Sequence, residues 1–537
     1  MTTRLLAAAI GITFVLSVPA ASQVAVDEAL LERDLTILAA DDMEGREAGT
    51  RGHERAAGYV AGRMVAMGLE PAGDTGTYFQ QVPLRTYSHT PEGNTLAING
   101  LGTLTYGEDF ILSGGAQLES GTLSAPLVFI GYGVQVDGRD DLAGVDLQGA
   151  IAVRLSGAPA GLSDEEASHQ RSTLMQRLSD RGAVGVLLLH TPSLEETFPW
   201  GQIVRTQSRR RTMTWLSPDG RAESDLGDLQ VAGYLSPQLG AQLLHGLDFD
   251  YADVIASMAS DERAMPSFAI KRRAQVAFAS EFTDITSPNV IGLIPGTDPA
   301  LADQYVVLTA HLDHVGIRPT DAVGDDEIYN GALDNAVGVA SMLEVARLLM
   351  EERPARPVLV LALTAEEKGL LGSAFHAAHP TVGAGQLAAN VNLDMPIITY
   401  DFSDVVAFGA EHSNLYPQVV AATAEYGLDI SPDPQPEQSF FTRSDQYSYV
   451  RAGIPAVYLD LGFGNGGEEA QGIVLSEHYH RPSDELDLID WDALYRFTGV
   501  NYLIARNVAN MAERPMWNAG DFFGRTYGGP MAEPAGE

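Results

Sequence analysis

Residues 358–378 read VLVLALTAEEKGLLGSAFHAA. Six unbroken apolar residues, Val358 to Leu363, are too few for a membrane span and show no alternation, which is the pattern of a strand buried on both faces. Two adjacent carboxylates follow, Glu366 and Glu367, and then a helix is predicted over Gly369 to Ala378. Strand, acidic turn and helix make the unit of a parallel sheet covered by helices, whose functional groups belong at the carboxyl edge of the strands.

The unit recurs on either side. Strands are predicted at Tyr305 to Thr309, Val391 to Asp394, Val405 to Phe408 and Ala456 to Leu459, with helices at Ala336 to Met350, Tyr416 to Tyr426 and Trp491 to Met511. The expected fold class is α/β, a mixed, mostly parallel sheet flanked by helices, over 268–514. Upstream, Val26 to Leu69 has helical spacing, broken at Glu44-Gly45-Arg46 and at Gly49 to Gly52, so 23–114 reads as the N-terminal part of the same domain. From 115 to 267 the texture changes to short β runs (Leu127 to Ile130, Ile151 to Arg154, Val184 to Leu189) between Gly- and Asp-rich turns, with one helix near Ser172 to Arg181. That stretch reads as a separate, inserted β-rich domain. Past Arg514, residues 515–537 are rich in Gly and Pro and are expected to form a loose tail.

A chain of 537 residues is long enough for two folded units. Lys+Arg of 33 against Asp+Glu of 71 gives a net charge of −38, a field that repels polyphosphate backbones, so nucleic acid is not expected as a partner. Arg4, the apolar run Leu5 to Val18 and the small residues around Ala20 to Ser22 read as a signal peptide over 1–22, which predicts an exported protein, periplasmic or secreted; an uncleaved anchor is the alternative. No later segment reads as membrane-spanning, so no stable membrane insertion is expected once the signal is cleaved. With no cysteine, any metal must be held by His, Asp and Glu.

Such residues cluster at the predicted strand ends. His311 follows the first strand, with Asp313 placed to accept its second ring N–H. Asp334 opens a long helix, where it could cap or ligate. Glu366 and Glu367 stand side by side, and like charges there call for a cation. Asp394 closes another strand, and Glu477-His478-Tyr479-His480 brings a second histidine after the last. Nitrogen and oxygen donors of this kind suit one or two divalent ions, zinc first. No His-Glu-x-x-His pair and no Gly-x-Ser-x-Gly elbow is present, against single-zinc helical proteases and serine hydrolases. Gly462, Gly464 and Gly467 match a Gly-x-Gly-x-x-Gly string, but Glu468-Glu469 would repel a phosphate, and a flexible substrate-side loop is expected instead. Ser208-Arg209-Arg210-Arg211 reads as a solvated loop.

Taken in order, His-x-Asp, Asp-Asn, Glu-Glu, Leu-Asp-Met and Tyr-His resemble the zinc aminopeptidase and glutamate carboxypeptidase family of co-catalytic metallopeptidases, from about Val26 to Met511. Ser287-Pro288-Asn289-Val290-Ile291-Gly292, Arg443-Ser444-Asp445 and Gly453-Ile454-Pro455-Ala456 share that likeness, and the inserted domain resembles a protease-associated (PA) domain. The resemblance implies two zinc ions per chain. Asp334 would bridge them, Glu367 and His480 would complete one site, and His311 and Asp394 the other. Glu366 would be the general base, and Tyr479 would hydrogen-bond the oxyanion. Leu333 departs from the family, where a polar or acidic residue often precedes the bridging acid. The activity implied is removal of N-terminal residues from peptides. The alternatives are a carboxypeptidase acting on acidic dipeptides, a silent receptor-like binding protein, and a single-zinc transferase that cyclises N-terminal glutamine. Oligomeric state is not legible.

Overall fold

The computed structural model describes residues 25–534, apart from 90, 137, 160, 163, 208–210, 224–226, 228, 260–264, 321–324 and 384. The expected signal peptide and Ser208 to Arg210 of the basic cluster lie outside the described residues. Among the described residues, no helix is long and apolar enough to cross a membrane.

Four strands run parallel at the centre of the main sheet, in the order Val358–Leu363, Tyr305–His311, Leu387–Asn392 and Ala456–Leu461. The long strand Phe268–Ile294 flanks them antiparallel on one side and Asp404–Phe408 on the other. The unbroken apolar run at 358–363 has a simple cause. Val358, Val360 and Ala362 enter one core together with the helices Glu28–Leu38, Arg51–Met67, Val337–Glu351 and Trp491–Ala509. Leu359, Leu361 and Leu363 enter the opposite core with Ile291, Val307 and Tyr449. Both faces are dry, so neither can be polar, and each buried Leu or Val contributes about 1.5–3 kcal/mol.

The flanking helices stop where the sequence gives them a reason to. Gly68, in the left-handed region at φ 79°, closes Arg51–Met67, and the Asp490 carboxylate caps Trp491–Ala509 by accepting the Ala493 N–H at 3.0 Å. Asp334 does not act as a cap: the residue at the start of Val337–Glu351 is Ala336, and the side chain that takes a first-turn N–H is Asn335, whose Oδ1 accepts from Gly338 at 3.0 Å.

A second sheet forms the inserted unit, but its limits differ from 115 and 267. Its strands run in the order Phe110–Gly114, Val231–Leu235, Gly185–Leu189, Ile151–Arg154 and Ser120–Phe129, then the first half of Phe268–Ile294, and finally Thr95–Ile98. The unit therefore begins before 115 and ends inside a strand shared with the main sheet. Thr212–Trp215, from the middle of it, pairs instead with Phe79–His89 of the main sheet. Strand periodicity tells which residues are extended and says nothing of their partner.

The expected loose tail is ordered through 534. Trp517 is fully buried, donates its indole N–H to Gly453 O at 2.9 Å, and packs with Phe441, Tyr447 and Phe523. Four aromatic residues between 517 and 527 outweigh the Gly and Pro content, because burying rings offsets the cost of ordering the chain. The Gly462–Gly467 stretch is also no open loop: a short helix, Gly467–Ile473, follows it at once.

Candidate metal centre

Every predicted ligand stands at the carboxyl edge of the parallel strands or in a loop facing it. His311 ends the strand Tyr305–His311, Glu366 and Glu367 follow Val358–Leu363, and Asp394 follows Leu387–Asn392. Asp334 lies in the irregular turn Ala332–Ala336, and His480 in the chain after Val474–His478. The side chains converge into two donor sets that share Asp334: His311, Asp334 and Asp394 in one, and His314, Asp334, Glu367 and His480 in the other.

Asp334 uses its two oxygens separately. Oδ1 lies 3.4 Å from His311 Nε2, and Oδ2 lies 3.2 Å from His480 Nε2. The first set closes with Asp394 Oδ1 at 2.8 Å from His311 Nε2, the second with Glu367 Oε2 at 3.1 Å from His480 Nε2. The tautomer of His311 follows from its other nitrogen. Nδ1 donates to the main-chain carbonyl of Asp313 at 3.0 Å, which leaves Nε2 facing the carboxylates of Asp334 and Asp394, to hold a proton there or, through its lone pair, a metal ion. Two carboxylates there call for positive charge, which the imidazolium supplies in the metal-free protein and a cation would supply in its place. Burial acts against charge on His311, but Asp394 and Glu366 outweigh it and hold its pKa well above the usual imidazole value. The same holds for Glu367, pulled down to about 2 by hydrogen bonds from His314 and His480 in spite of burial and of Asp334. A cage of imidazole nitrogens and carboxylate oxygens with no sulfur fits zinc.

Asp313 differs from its expected role. Its carboxylate does not touch His311; Oδ1 accepts the Glu366 main-chain N–H at 3.0 Å, while the carbonyl of the same residue orients the imidazole. One residue thus fixes both a candidate ligand and the candidate base. Glu366 takes no hydrogen bond on its carboxylate from the described residues, lines a cavity of 320 Å³ together with His311, Asp334, Asp394 and His480, and has its pKa raised well above the usual range, by burial first and then by Asp394 and Glu367. Tyr479 lines the same cavity, stacked on the His480 ring with centroids 3.9 Å apart. Burial, with Asp334 and Glu367 nearby, raises its pKa and keeps the phenol a donor.

Three residues outside the predicted set hold the loops. His314, fully buried, donates from Nδ1 to Glu367 Oε1 at 2.7 Å, leaving Oε2 for the cage. The Asp484 carboxylate accepts the main-chain N–H groups of Leu333 and Asp334 at 2.8 and 3.1 Å, tying the His480 loop to the Asp334 turn. Arg46, 1% exposed, donates to the carbonyls of Leu38, Leu312, Asn330 and Gly331 at 2.6–2.9 Å, tying the Asp334 turn to the His311 loop. The Glu44-Gly45-Arg46 break in the helical pattern was the available signal. Gly45 has no room for a side chain, since a Cβ would meet Gly316 O and Tyr329 O at 2.6 Å, and its φ is +64°.

Residues 289–504 match the family described as Peptidase family M28. Leucine aminopeptidase 2 of Arthroderma otae is 26% identical over 317 residues, covering 55% of this chain and 61% of that protein. Aminopeptidase Y of Saccharomyces cerevisiae is 29% identical over 241 residues, covering 43% and 40%. The chain thus spans less than two thirds of either relative. In fold it is similar to the aminopeptidase from Aneurinibacillus sp. strain AM-1, with a TM-score of 0.50 and 19% identity over 91% of this chain and 95% of that one.

Proposed function

We propose, from the match of residues 289–504 to Peptidase family M28 and from the two donor sets that share Asp334, that this chain is an exported aminopeptidase using two zinc ions. Its substrate is the N-terminal peptide bond of peptides. The observation that carries the reading is the free Glu366 carboxylate, lining the same cavity as His311, Asp334, Asp394 and His480. His311 and Asp394 would hold one ion, Glu367 and His480 the other, and Asp334 both. Zinc bound there supplies a polarised carbonyl and a water acidic enough to react near neutral pH.

The chain's own groups then have defined tasks. Glu366 accepts the proton of the attacking water and delivers it to the leaving amine, while Asp313 fixes its backbone from behind. Tyr479 donates to the oxygen that gains charge on the former carbonyl. Hydrogen bonding of Asp394 Oδ2 by the Ser444 hydroxyl keeps Oδ1 turned to His311. Export rests on the Leu5 to Val18 segment and its small-residue boundary.

The deciding experiment is release of p-nitroaniline from aminoacyl anilides by the purified protein, with elemental analysis alongside. Glu366→Gln should lower kcat by about 10²–10⁴ while retaining two zinc ions per chain. Normal turnover in that variant would remove Glu366 from the mechanism. Arg443, a cation lining the cavity, is the observation that favours the carboxypeptidase alternative. Blocking the substrate's amine should abolish cleavage; if blocking its carboxylate does so instead, the alternative stands.

A further inference from the structure

Three of the four central parallel strands deliver the metal-centre residues His311, Glu366, Glu367 and Asp394. The fourth, Ala456–Leu461, delivers an acid to the same edge, and the chemistry above leaves it unused. Asp460 lines the same 320 Å³ cavity, two residues along the strand from Tyr458. Its carboxylate accepts one hydrogen bond, from the neighbouring Leu461 N–H to Oδ1 at 2.7 Å. Among the described residues no cation pairs with it, and the other charges acting on it are the acids Asp394 and Asp433. Burial foremost, with those acids, pushes its carboxyl up to about 7 against the pull of Leu461 N–H.

Gln471, 5% exposed, lines the same cavity. Its Nε2 donates to Leu461 O at 2.9 Å and to the Tyr400 hydroxyl at 3.0 Å, and a main-chain carbonyl can only accept, so the amide's orientation is fixed. The Gln471 carbonyl oxygen takes no hydrogen bond from the described residues. Asp460 and Gln471 therefore each offer a free acceptor oxygen in a cavity that Ile397 and Leu475 line with apolar surface, and the Tyr458 hydroxyl lines it as well. Arg443, which also lines the cavity, does not pair with Asp460: its guanidinium donates to Gln438 O at 3.3 Å and lies 5.7 Å over the Phe440 ring.

We propose that Asp460 and Gln471 form the recognition end of the side-chain pocket and select peptides whose first residue is basic, lysine or arginine. The inference rests on the aminopeptidase reading and names its substrate class. A lysine side chain matches the wall and the end together, an apolar stem with a head that only donates. A leucine or norleucine in that place leaves a desolvated carboxylate without a partner, and the site discriminates against it for that reason.

The test compares lysyl, arginyl, leucyl and norleucyl p-nitroanilides, norleucine being the lysine stem without its head. In the wild type, kcat/KM for Lys and Arg should exceed that for norleucine by at least about tenfold, and Asp460→Asn should lower the Lys-to-norleucine ratio by at least about tenfold. Equal kcat/KM for Lys and norleucine in the wild type overturns the proposal. So does an Asp460→Asn loss shared by every substrate, which would place the α-ammonium at Asp460. Absence of turnover on every anilide defeats the peptidase reading instead. Calorimetric titration of free L-lysine and L-norleucine into the zinc-loaded protein then decides the pocket: tighter lysine binding upholds the assignment, and equal binding overturns it.

Discussion

Arg46→Met removes a guanidinium that no metal would touch and should nonetheless weaken metal binding. The side chain is buried and makes four hydrogen bonds, all to main-chain carbonyls, two of them just before the turn that carries Asp334 and one on the residue after His311. Gly331 O keeps the Ala336 N–H at 3.2 Å, so three carbonyls are left without a donor, and at about 1–3 kcal/mol each they set a ceiling of roughly 3–9 kcal/mol. Recovered desolvation offsets part of that. Burial has drawn the Arg46 pKa down to about 10 against the pull of Asp484, Asp334, Asp313 and Glu367, so the cation is far from comfortable where it sits. A net loss of about 3–5 kcal/mol is expected, the usual cost of breaking a buried charged network. Freed of the fork, the two loops no longer hold their donors in register, and zinc affinity should fall about 10–100-fold, as for other groups that orient ligands. The assays are urea melts of the chelator-treated protein and zinc dissociation constants by competition with a chelator. Zinc affinity within twofold of wild type would refute the positioning argument even if stability fell, because then Arg46 supports the fold alone.

Other outcomes follow from the same contacts. His314→Ala deprives Glu367 Oε1 of its donor and should weaken one zinc ion about 10–100-fold while sparing the ion on the His311 side; loss of both together in stepwise chelation would contradict two separable sets. In metal-free protein, the carboxyl of Glu367 lies at about 2, below its unfolded value, so its stabilisation is present above about 4.5 and is lost as pH falls towards 2. His480, raised to about 10 by Asp334 and Glu367 against burial, contributes below about 6.5 and loses that contribution as pH rises through 10. Urea melts of the chelated protein across pH 2–10 should show both declines, and a flat profile would exclude the pair. Trp517→Ala should cost about 3–5 kcal/mol, against almost nothing for a residue in a loose tail; a loss under about 1 kcal/mol would restore that view.

The candidate site was legible to the extent that one rule placed it. An acid or imidazole just past a buried apolar run falls at the carboxyl edge of a parallel sheet, and that rule found His311, Glu366, Glu367 and Asp394. It applied equally to Asp460 after Ala456 to Leu459 and was not carried through there, because the acid interrupts an apolar run that continues to Leu461. His314 was passed over for a different reason. Three residues beyond His311, it is one more polar side chain in a loop, and nothing in the letters says that it reaches Glu367, 53 positions away.

Local sequence, by itself, determined the main strands and helices of the parallel sheet, that the sheet is parallel at its centre, and that the acids and imidazoles stand at strand ends. Periodicity and strand length are properties of neighbours in the chain, so they can be read there. Only the tertiary structure decided partners: that Arg46 clasps loops more than 260 residues away, that one long strand joins two sheets, that the segment around Trp517 is core, and that two donor sets share one carboxylate. Those facts depend on distances between groups remote in sequence, which are set by packing the whole molecule and by no single stretch of it.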